Sequence, residues 1–320
     1  MRAVRVHELG EPEVMRVEQV ADPVPGPGQV LVAVRAAGVN PVDTYIRSGQ
    51  HGYGAQVPYT PGSDAAGLVE RVGDGVTGLA PGDRVFTAGT VSGAYAERTL
   101  CNAGQVYRLP ERADFPQGAA LGIPCAAAYR ALFQRGRARP GETVLVHGAT
   151  GAVGLAAVQL ARAAGLVVFG TGGDAAGCAA AAENGAVQVF DHGAPDHLDH
   201  VLAATGGRGV DLIVEMLANR NLGRDLAVLA PQGRVVVVGS RGTVEIDPRA
   251  LMVREAEVRG MLLGKAPEAE RGEIYAALQG ALEGGFLTPP IGAEFPLDAA
   301  PEAHRLIAGW QGGAKIVLVP

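Results

Sequence analysis

Three glycines spaced by three residues form the strongest chemical signal in the chain: Gly148-Ala149-Thr150-Gly151-Ala152-Val153-Gly154. A backbone without a side chain at Gly151 lets N–H groups approach a pyrophosphate. A helix starting near Ala152 turns its positive end toward the same anion. Gly154 allows that helix to pack closely on the strand before the turn. Such a loop is informative only where a strand precedes it and a helix follows. Thr143 to His147 (TVLVH) is a short apolar strand candidate, and Val153 to Ala164 carries apolar residues at helical spacing. Dinucleotide binding is therefore expected.

The tip of the next strand bears on which dinucleotide. An NAD site usually places a carboxylate there, on the ribose hydroxyls. This strand ends Phe169-Gly170-Thr171-Gly172-Gly173, with Asp174 only afterwards. The missing acid leaves room for a 2′-phosphate and favours NADPH as the cofactor. The same stretch holds no basic partner. His192 and Lys315 could supply charge only by folding in.

Other chemistries lack their residues. Cys101, Cys125 and Cys178 are scattered and show no CxxC spacing, which argues against disulfides and zinc ribbons. His197 and His200 are a pair at helical spacing, but they stand in a polar segment with Asp191 and Asp196. A solvated helix start is the better reading, and no metal site is expected. There is no G-x-S-x-G elbow and no Cys/His nucleophile arrangement. Hydride transfer fits this inventory, because the cofactor carries the hard chemistry and the protein positions it. The net charge of −6 gives no basic footprint for nucleic acid. The charged N-terminus and the absence of a long apolar run point to a cytoplasmic chain outside the membrane.

The elements that must position this loop follow from length and patterning. A chain of 320 residues suggests two domains. The first third shows short strands (Met1 to Val6, Gln29 to Ala36, Ala66 to Val72, Arg84 to Thr87) separated by Pro/Gly turns, with no long helix before Gly118. From Thr143 to Val238 apolar strands alternate with helices, which predicts a parallel, doubly wound sheet. After Leu263 the alternation stops. Glu268 to Gly284 reads as one amphipathic helix and Lys315 to Val319 as a last strand. The tail is too short for a domain and most economically rejoins the β-rich part. The expected organisation is α/β: a discontinuous β-rich domain, 1–123 and 265–320, around a dinucleotide-binding domain, 124–264.

Several longer motifs then resemble a known family. Val39-Asn40-Pro41-Val42-Asp43-Thr44-Tyr45-Ile46-Arg47-Ser48-Gly49 and Pro58-Tyr59-Thr60-Pro61-Gly62-Ser63-Asp64 are similar to the zeta-crystallin type of quinone oxidoreductase. So are Val144 to Gly154, Glu215-Met216-Leu217-Ala218-Asn219 and Val238-Gly239-Ser240-Arg241-Gly242-Thr243. That type belongs to the zinc-free branch of the medium-chain dehydrogenase/reductase superfamily. The resemblance runs the length of the chain. It implies a GroES-like catalytic domain around a Rossmann domain, with the active site in the cleft between them. Zinc-dependent relatives have Cys where this chain has Asn40, and His where it has Ser63.

The resemblance also implies site roles. Tyr45 would lie beside nicotinamide and substrate, and with Asn40 would hydrogen-bond a quinone oxygen in catalysis. Thr150, Gly151, Ala152 and Val153 would hold the pyrophosphate. Gly173 and His192 would lie near the adenine ribose and its phosphate. Asn221 with Val238, Gly239, Ser240 and Arg241 would line the nicotinamide side, and Met261, Leu262 and Leu263 would close the wall. Plain alternatives stay open: Tyr45 as a core residue, Asn40 as a cap before Pro41, Arg241 as a surface residue, and Asp64 as a structural acid. The implied activity is NADPH-dependent reduction of quinones without zinc, by hydride or single electrons. An enone or alkenal reductase is the near alternative, and an RNA-binding protein of the zeta-crystallin type the distant one. A homodimer or homotetramer is expected, with an exposed strand near Val235 to Val238 available for pairing across a two-fold axis.

Overall fold

The structure is a computed structural model and describes residues 1–309 and 313–320. The chain divides into two compact units. One takes Met1–Ile123 and most of the chain from Leu278 onward; the other takes Pro124–Ala277. The return to the first unit thus falls inside a helix, Glu268–Glu283, rather than at the 265 suggested by the sequence. Of the expected 265–320 portion, residues 310–312 lie outside the described residues.

The first unit is built from β1 (Arg2–Val6), β2 (Met15–Gln19), β3 (Gln29–Val39), α1 (Pro41–Ser48), β4 (Asp64–Val72), β5 (Arg84–Thr87), β6 (Arg98–Asn102), β7 (Val106–Arg108) and α2 (Phe115–Gly118). The second opens with α3 (Ala126–Tyr129). It continues with β8 (Thr143–Val146), α4 (Ala152–Ala163), β9 (Val167–Gly172), α5 (Ala175–Glu183), β10 (Gln188–Asp191), α6 (His197–Ala204), β11 (Val210–Glu215), α7 (Ala218–Asp225), β12 (Leu229–Val237), α8 (Pro248–Met252) and β13 (Glu257–Gly260). After α9 (Glu268–Glu283), the tail adds β14 (Ile291–Pro296), α10 (Ala300–Ala308) and β15 (Lys315–Val319) to the first unit.

In the first unit β3 is the organiser. It pairs antiparallel with β4, β6 and β15, and the sheet runs β14-β15-β3-β4-β5-β7. The tail therefore does rejoin the N-terminal strands, through Ile316, Val317 and Leu318 opposite Val39, Gly38 and Ala37. Val30, Val32, Val69, Val85 and Cys101 fill one core, and Val4, Val34, Tyr95, Ile316 and Leu318 another.

One element of this unit escapes the β-rich reading. Residues 41–48 form α1, an eight-residue helix. Asn40 is its N-cap residue, Pro41 supplies the preset φ of its first turn, and Gly49 ends it at φ 71°. The Asp43 carboxylate accepts from the Asn40 backbone N–H at 2.8 Å.

The second unit is a six-stranded, wholly parallel sheet of order β10-β9-β8-β11-β12-β13. Strand order reverses between β8 and β11, so these two carry the topological switch point where dinucleotides sit in such folds. Leu145, Phe169, Ile213, Leu226 and Val235 share its core.

One expectation is overturned. The strand near Val235 to Val238 is not exposed: β12 lies between β11 and β13, and Val235 and Val236 are buried. The apolar run that suggested a sticky edge is apolar because it is interior. The sheet edge on this side is β13, whose polar sequence hides it from pattern reading.

Candidate active site

The glycine turn sits where the sequence places it. β8 ends at Val146, Gly148 turns the chain at φ 60°, and α4 begins at Ala152 with Gly151 as its N-cap residue. The two later glycines do different work. A Cβ on Gly154 would stand 2.1 Å from the Gly148 carbonyl oxygen, so only glycine lets the helix pack on the turn. Among the described residues, a Cβ on Gly151 would meet nothing nearer than that same oxygen at 3.6 Å. Packing against these residues does not require a glycine there. The open side of Gly151 leaves the positive end of α4, with the N–H groups of the first turn, approachable by an anion. Thr150, Ala152 and Val153 flank it.

The residues that the sequence assigns to the ribose end stand at and beyond the tip of β9. Gly173 is exposed there, and the His192 ring, just past β10, would touch a Cβ on Gly173 at 2.7 Å through Nε2. His192 and Gly173 are thus neighbours. Asp174 is engaged in capping α5 through the Gly177 N–H at 2.8 Å, and Asp191 accepts from the Gly193 N–H at 2.8 Å. Lys315 is engaged elsewhere: it is buried in the first unit, its ammonium held by Asn40 and Asp64.

The residues assigned to the nicotinamide side also meet. Val238, Gly239, Ser240, Met261 and Leu262 line one concavity of about 480 Å³ in the second unit. Arg130, Arg135 and Lys265 line it too, and sequence reading missed all three. Arg130 is anchored by its ion pair with Glu270. Leu263 starts the short turn that follows. Asn221 on α7 donates to Glu215 Oε1 at 3.2 Å rather than lining that concavity. Arg241 is exposed, its backbone N–H bonded to Asn219 Oδ1 at 2.9 Å.

In the first unit, α1 carries the residues expected to act on the acceptor. Tyr45 is half-buried. Its ring packs edge-on to His51 at 4.8 Å and tilts against Tyr53 at 6.1 Å between centroids. Asn40 is buried and its amide is engaged at both ends. Nδ2 donates to Asp64 Oδ2 at 2.9 Å, and Oδ1 accepts from the Lys315 ammonium. That ammonium lies 3.6 Å from Asp64 Oδ2, which also accepts from the Ile123 N–H at 3.1 Å. Lys315 crosses directly over Gly38, where a Cβ would overlap its Cε at 2.7 Å. Burial pushes the Asp64 carboxyl up, and Lys315 draws it back.

A second buried chain supports α1 from below. Tyr95 Oη bonds to Asp43 Oδ2 at 3.2 Å and to His304 Nε2 at 3.1 Å. Burial pushes Asp43 up to about 7 and His304 down to about 3. A neutral His304 donating Nε2–H to Tyr95 is consistent with that shift.

Two family models match the chain. Residues 26–111 match the alcohol dehydrogenase GroES-like domain, and 152–280 match the zinc-binding dehydrogenase. With a parallel sheet of this order and a glycine turn at its switch point, they define an oxidoreductase of the medium-chain dehydrogenase/reductase class. The human quinone oxidoreductase is 49% identical over all of this chain and 98% of its own length. The rat protein of the same name is 50% identical over the same shares. The Escherichia coli quinone oxidoreductase, solved complexed with NADPH, superposes with a TM-score of 0.90 at 29% identity, covering both chains fully. The chain belongs to the quinone oxidoreductase family, in the zinc-free branch of that superfamily.

The residues do not fit a catalytic zinc despite the name of the second family model. At the position where zinc-dependent relatives offer a Cys, Asn40 offers an amide already held between a carboxylate and an ammonium. A divalent cation there would face the Lys315 charge. The nicotinamide nucleotide does fit: the Gly151 approach is open, and α4 points its N-terminus at it.

Proposed function

We propose that this chain reduces quinones with NADPH, without zinc. The observation that carries the reading is the Gly148–Gly154 turn, whose Gly151 is left open beside an α4 N-terminus at the switch point of the sheet. The full-length likeness to named quinone oxidoreductases supports the acceptor class. When bound, the nicotinamide supplies the reducing equivalents.

The chain's own residues bind and orient. Backbone N–H groups at Thr150, Ala152 and Val153 hold the pyrophosphate, and Gly151, whose own N–H donates to the Gly148 oxygen at 3.1 Å, leaves it room. Val238 to Ser240 and Met261 to Leu263 form the wall on the nicotinamide side, with Arg241 flanking it. Asn221 acts through Glu215, which it braces. Tyr45 donates its hydroxyl to the acceptor oxygen as negative charge develops there. Asn40, its amide engaged on both sides, fixes the start of α1 and so the placement of Tyr45. Tyr45→Phe is expected to lower kcat/KM for quinones by roughly tenfold to a hundredfold, the effect of losing one such donor, with nucleotide affinity little changed. Stopped-flow reduction beside a nucleotide titration separates the two.

NADPH is favoured over NADH by the absence of a carboxylate at the tip of β9, with His192 as the 2′-phosphate partner. His192→Gln is expected to weaken NADPH on the order of tenfold, through loss of a hydrogen bond to the 2′-phosphate, and to leave NADH alone. Isothermal titration with both nucleotides checks this; equal losses for the two would remove His192 from the 2′-phosphate. The activity itself is tested by anaerobic NADPH oxidation against a panel of ortho- and para-quinones and enones. Turnover with quinones is expected; turnover confined to enones would reassign the acceptor.

A further inference from the structure

Three ionisable side chains meet inside the dinucleotide unit, directly under the segments assigned to the cofactor. His147 follows β8 and immediately precedes the glycine turn, Glu215 ends β11, and Asp225 ends α7. All three are buried: His147 is 2% exposed and both carboxyls 0%. One oxygen of each carboxyl and a ring nitrogen of His147 lie within 4.8 Å of one another. His147 Nε2 is 2.9 Å from Asp225 Oδ1 and 3.6 Å from Glu215 Oε2. Its Nδ1 is 3.1 Å from Thr171 Oγ1 on β9. Glu215 Oε1 accepts from the Leu217 N–H and from Asn221 Nδ2.

Among the described residues, two acceptors in this cluster find no hydrogen-bond donor: Glu215 Oε2 and Asp225 Oδ2. Two buried carboxyls with oxygens within 4.8 Å of one another repel when both are charged. A single proton on one of them removes that repulsion and supplies a donor. We infer that Glu215 and Asp225 share one proton, and that this proton holds the Met216–Leu217 turn, and through it the nucleotide site, in its binding form. Glu215 is thus a positioning residue for the cofactor. The inference rests on the proposed nicotinamide site.

The mechanical link is short. The Glu215 carbonyl oxygen accepts from the Val238 N–H at 2.8 Å and the Gly239 N–H at 3.2 Å, while its side chain holds Leu217. Ala218 N–H returns to the Gly239 oxygen at 2.9 Å, and the Met216 side chain lies against Gly148. One residue therefore ties together the glycine turn and the wall at Val238 and Gly239. Loss of the proton adds one negative charge beneath a site built for pyrophosphate. Burial drives the Glu215 carboxyl up to about 7, with His147 drawing it down and Asp225 pushing it up. Burial opposes charge on His147 as well, but the Asp225 hydrogen bond and both carboxylates outweigh it and hold its pKa high, against a small opposing effect of Arg224. A raised carboxyl pKa keeps its proton at low pH and loses it as pH rises through about 7. Binding should follow that direction.

Two measurements test this. The first is nucleotide affinity from about pH 6 to 9, with NADH as the main probe, because it lacks a 2′-phosphate that titrates in the same range, and NADPH alongside. The dissociation constant is expected to rise about tenfold, with an inflection near neutrality. Glu215→Gln, whose amide donates to Asp225 permanently, should flatten the profile; Glu215→Ala should weaken binding at every pH. A wild-type slope retained in Glu215→Gln would overturn the inference while leaving nucleotide binding intact. The second is an infrared pH-difference spectrum of the nucleotide-free protein. A protonated-carboxyl band that fades as pH rises, and is missing from Glu215→Gln, is expected. Its absence, or a stoichiometric divalent metal that stays with the purified protein and is lost in Glu215→Gln, would overturn the shared proton. Failure of both nucleotides to bind at any pH, with that band present, would count against the proposed function instead.

Discussion

Gly151→Ala is expected to abolish useful dinucleotide binding while the protein stays folded. The new methyl group faces no atom of the described residues closer than 3.6 Å, and the residue sits at φ −79°, which any amino acid adopts. The stability change should be within about 1 kcal/mol, the size of an N-cap preference. The same methyl group blocks the approach of a phosphate to the N–H groups of the α4 N-terminus. Losing one or two charge-assisted hydrogen bonds raises the dissociation constant on the order of a hundredfold. Gly154→Ala is the control with the opposite cause. Its Cβ would overlap a backbone oxygen at 2.1 Å, and that oxygen cannot swing aside. Overpacking of that severity costs roughly 1–3 kcal/mol and lifts the helix off the turn. Thermal unfolding and nucleotide titration on both variants separate the cases. Equal destabilisation of the two, or unchanged binding in Gly151→Ala, would remove the pyrophosphate from this turn.

The second large effect belongs to Lys315. Replacing it with Met leaves Asp64 and the Asn40 oxygen buried without their cation. Breaking a buried pair on one side typically costs about 3–5 kcal/mol, and urea unfolding should show a loss of that order at neutral pH. The deficit should shrink in acid. Burial already raises the Asp64 carboxyl, and without Lys315 it rises further. The folded variant then binds a proton more tightly than the unfolded chain does. Stability gained from that proton is present at low pH and lost as pH rises through the folded-state pKa. Adding Asp64→Asn to Lys315→Met should recover at least part of the loss. A Lys315→Met protein as stable at pH 7 as the parent would show that the pair carries no structural weight.

What could be read from the sequence follows the range of the interactions. The glycine turn, β8 and α4 were legible because their signals are contiguous: an apolar run, a turn, then a helical period. The doubly wound sheet was legible for the same reason, repeated along the chain. Two elements were not. α1 is short, and its signals, Asn40-Pro41 at the start and Gly49 at the end, were present but set within a β-rich stretch. β13 is a polar edge strand, so no apolar run announces it, and the interior strand β12 was taken for the edge instead. The buried ion networks were out of reach altogether. Lys315 meets Asn40 across 275 positions, and only the pairing of β15 with β3 brings them together. His147, Glu215 and Asp225 likewise stand at the ends of three separate elements, and no local spacing marks them as partners.

Among the site residues, those of the second unit were the more readable. Val238 to Ser240 and Met261 to Leu262 do line one concavity, but Arg130, Arg135 and Lys265 join them from elements whose register a sequence does not reveal. Asn40 shows the limit from the other side. Its residue type suits a hydrogen bond to an acceptor, yet its amide is held by Asp64 and Lys315. The described helices include none long and apolar enough to cross a membrane.

The most direct test of the account is anaerobic oxidation of NADPH by a para-quinone, catalysed by the purified chain after exhaustive treatment with a strong chelator. Undiminished turnover, with zinc far below one atom per chain, is the predicted result. Activity that disappears with the chelator and returns with added zinc would contradict it.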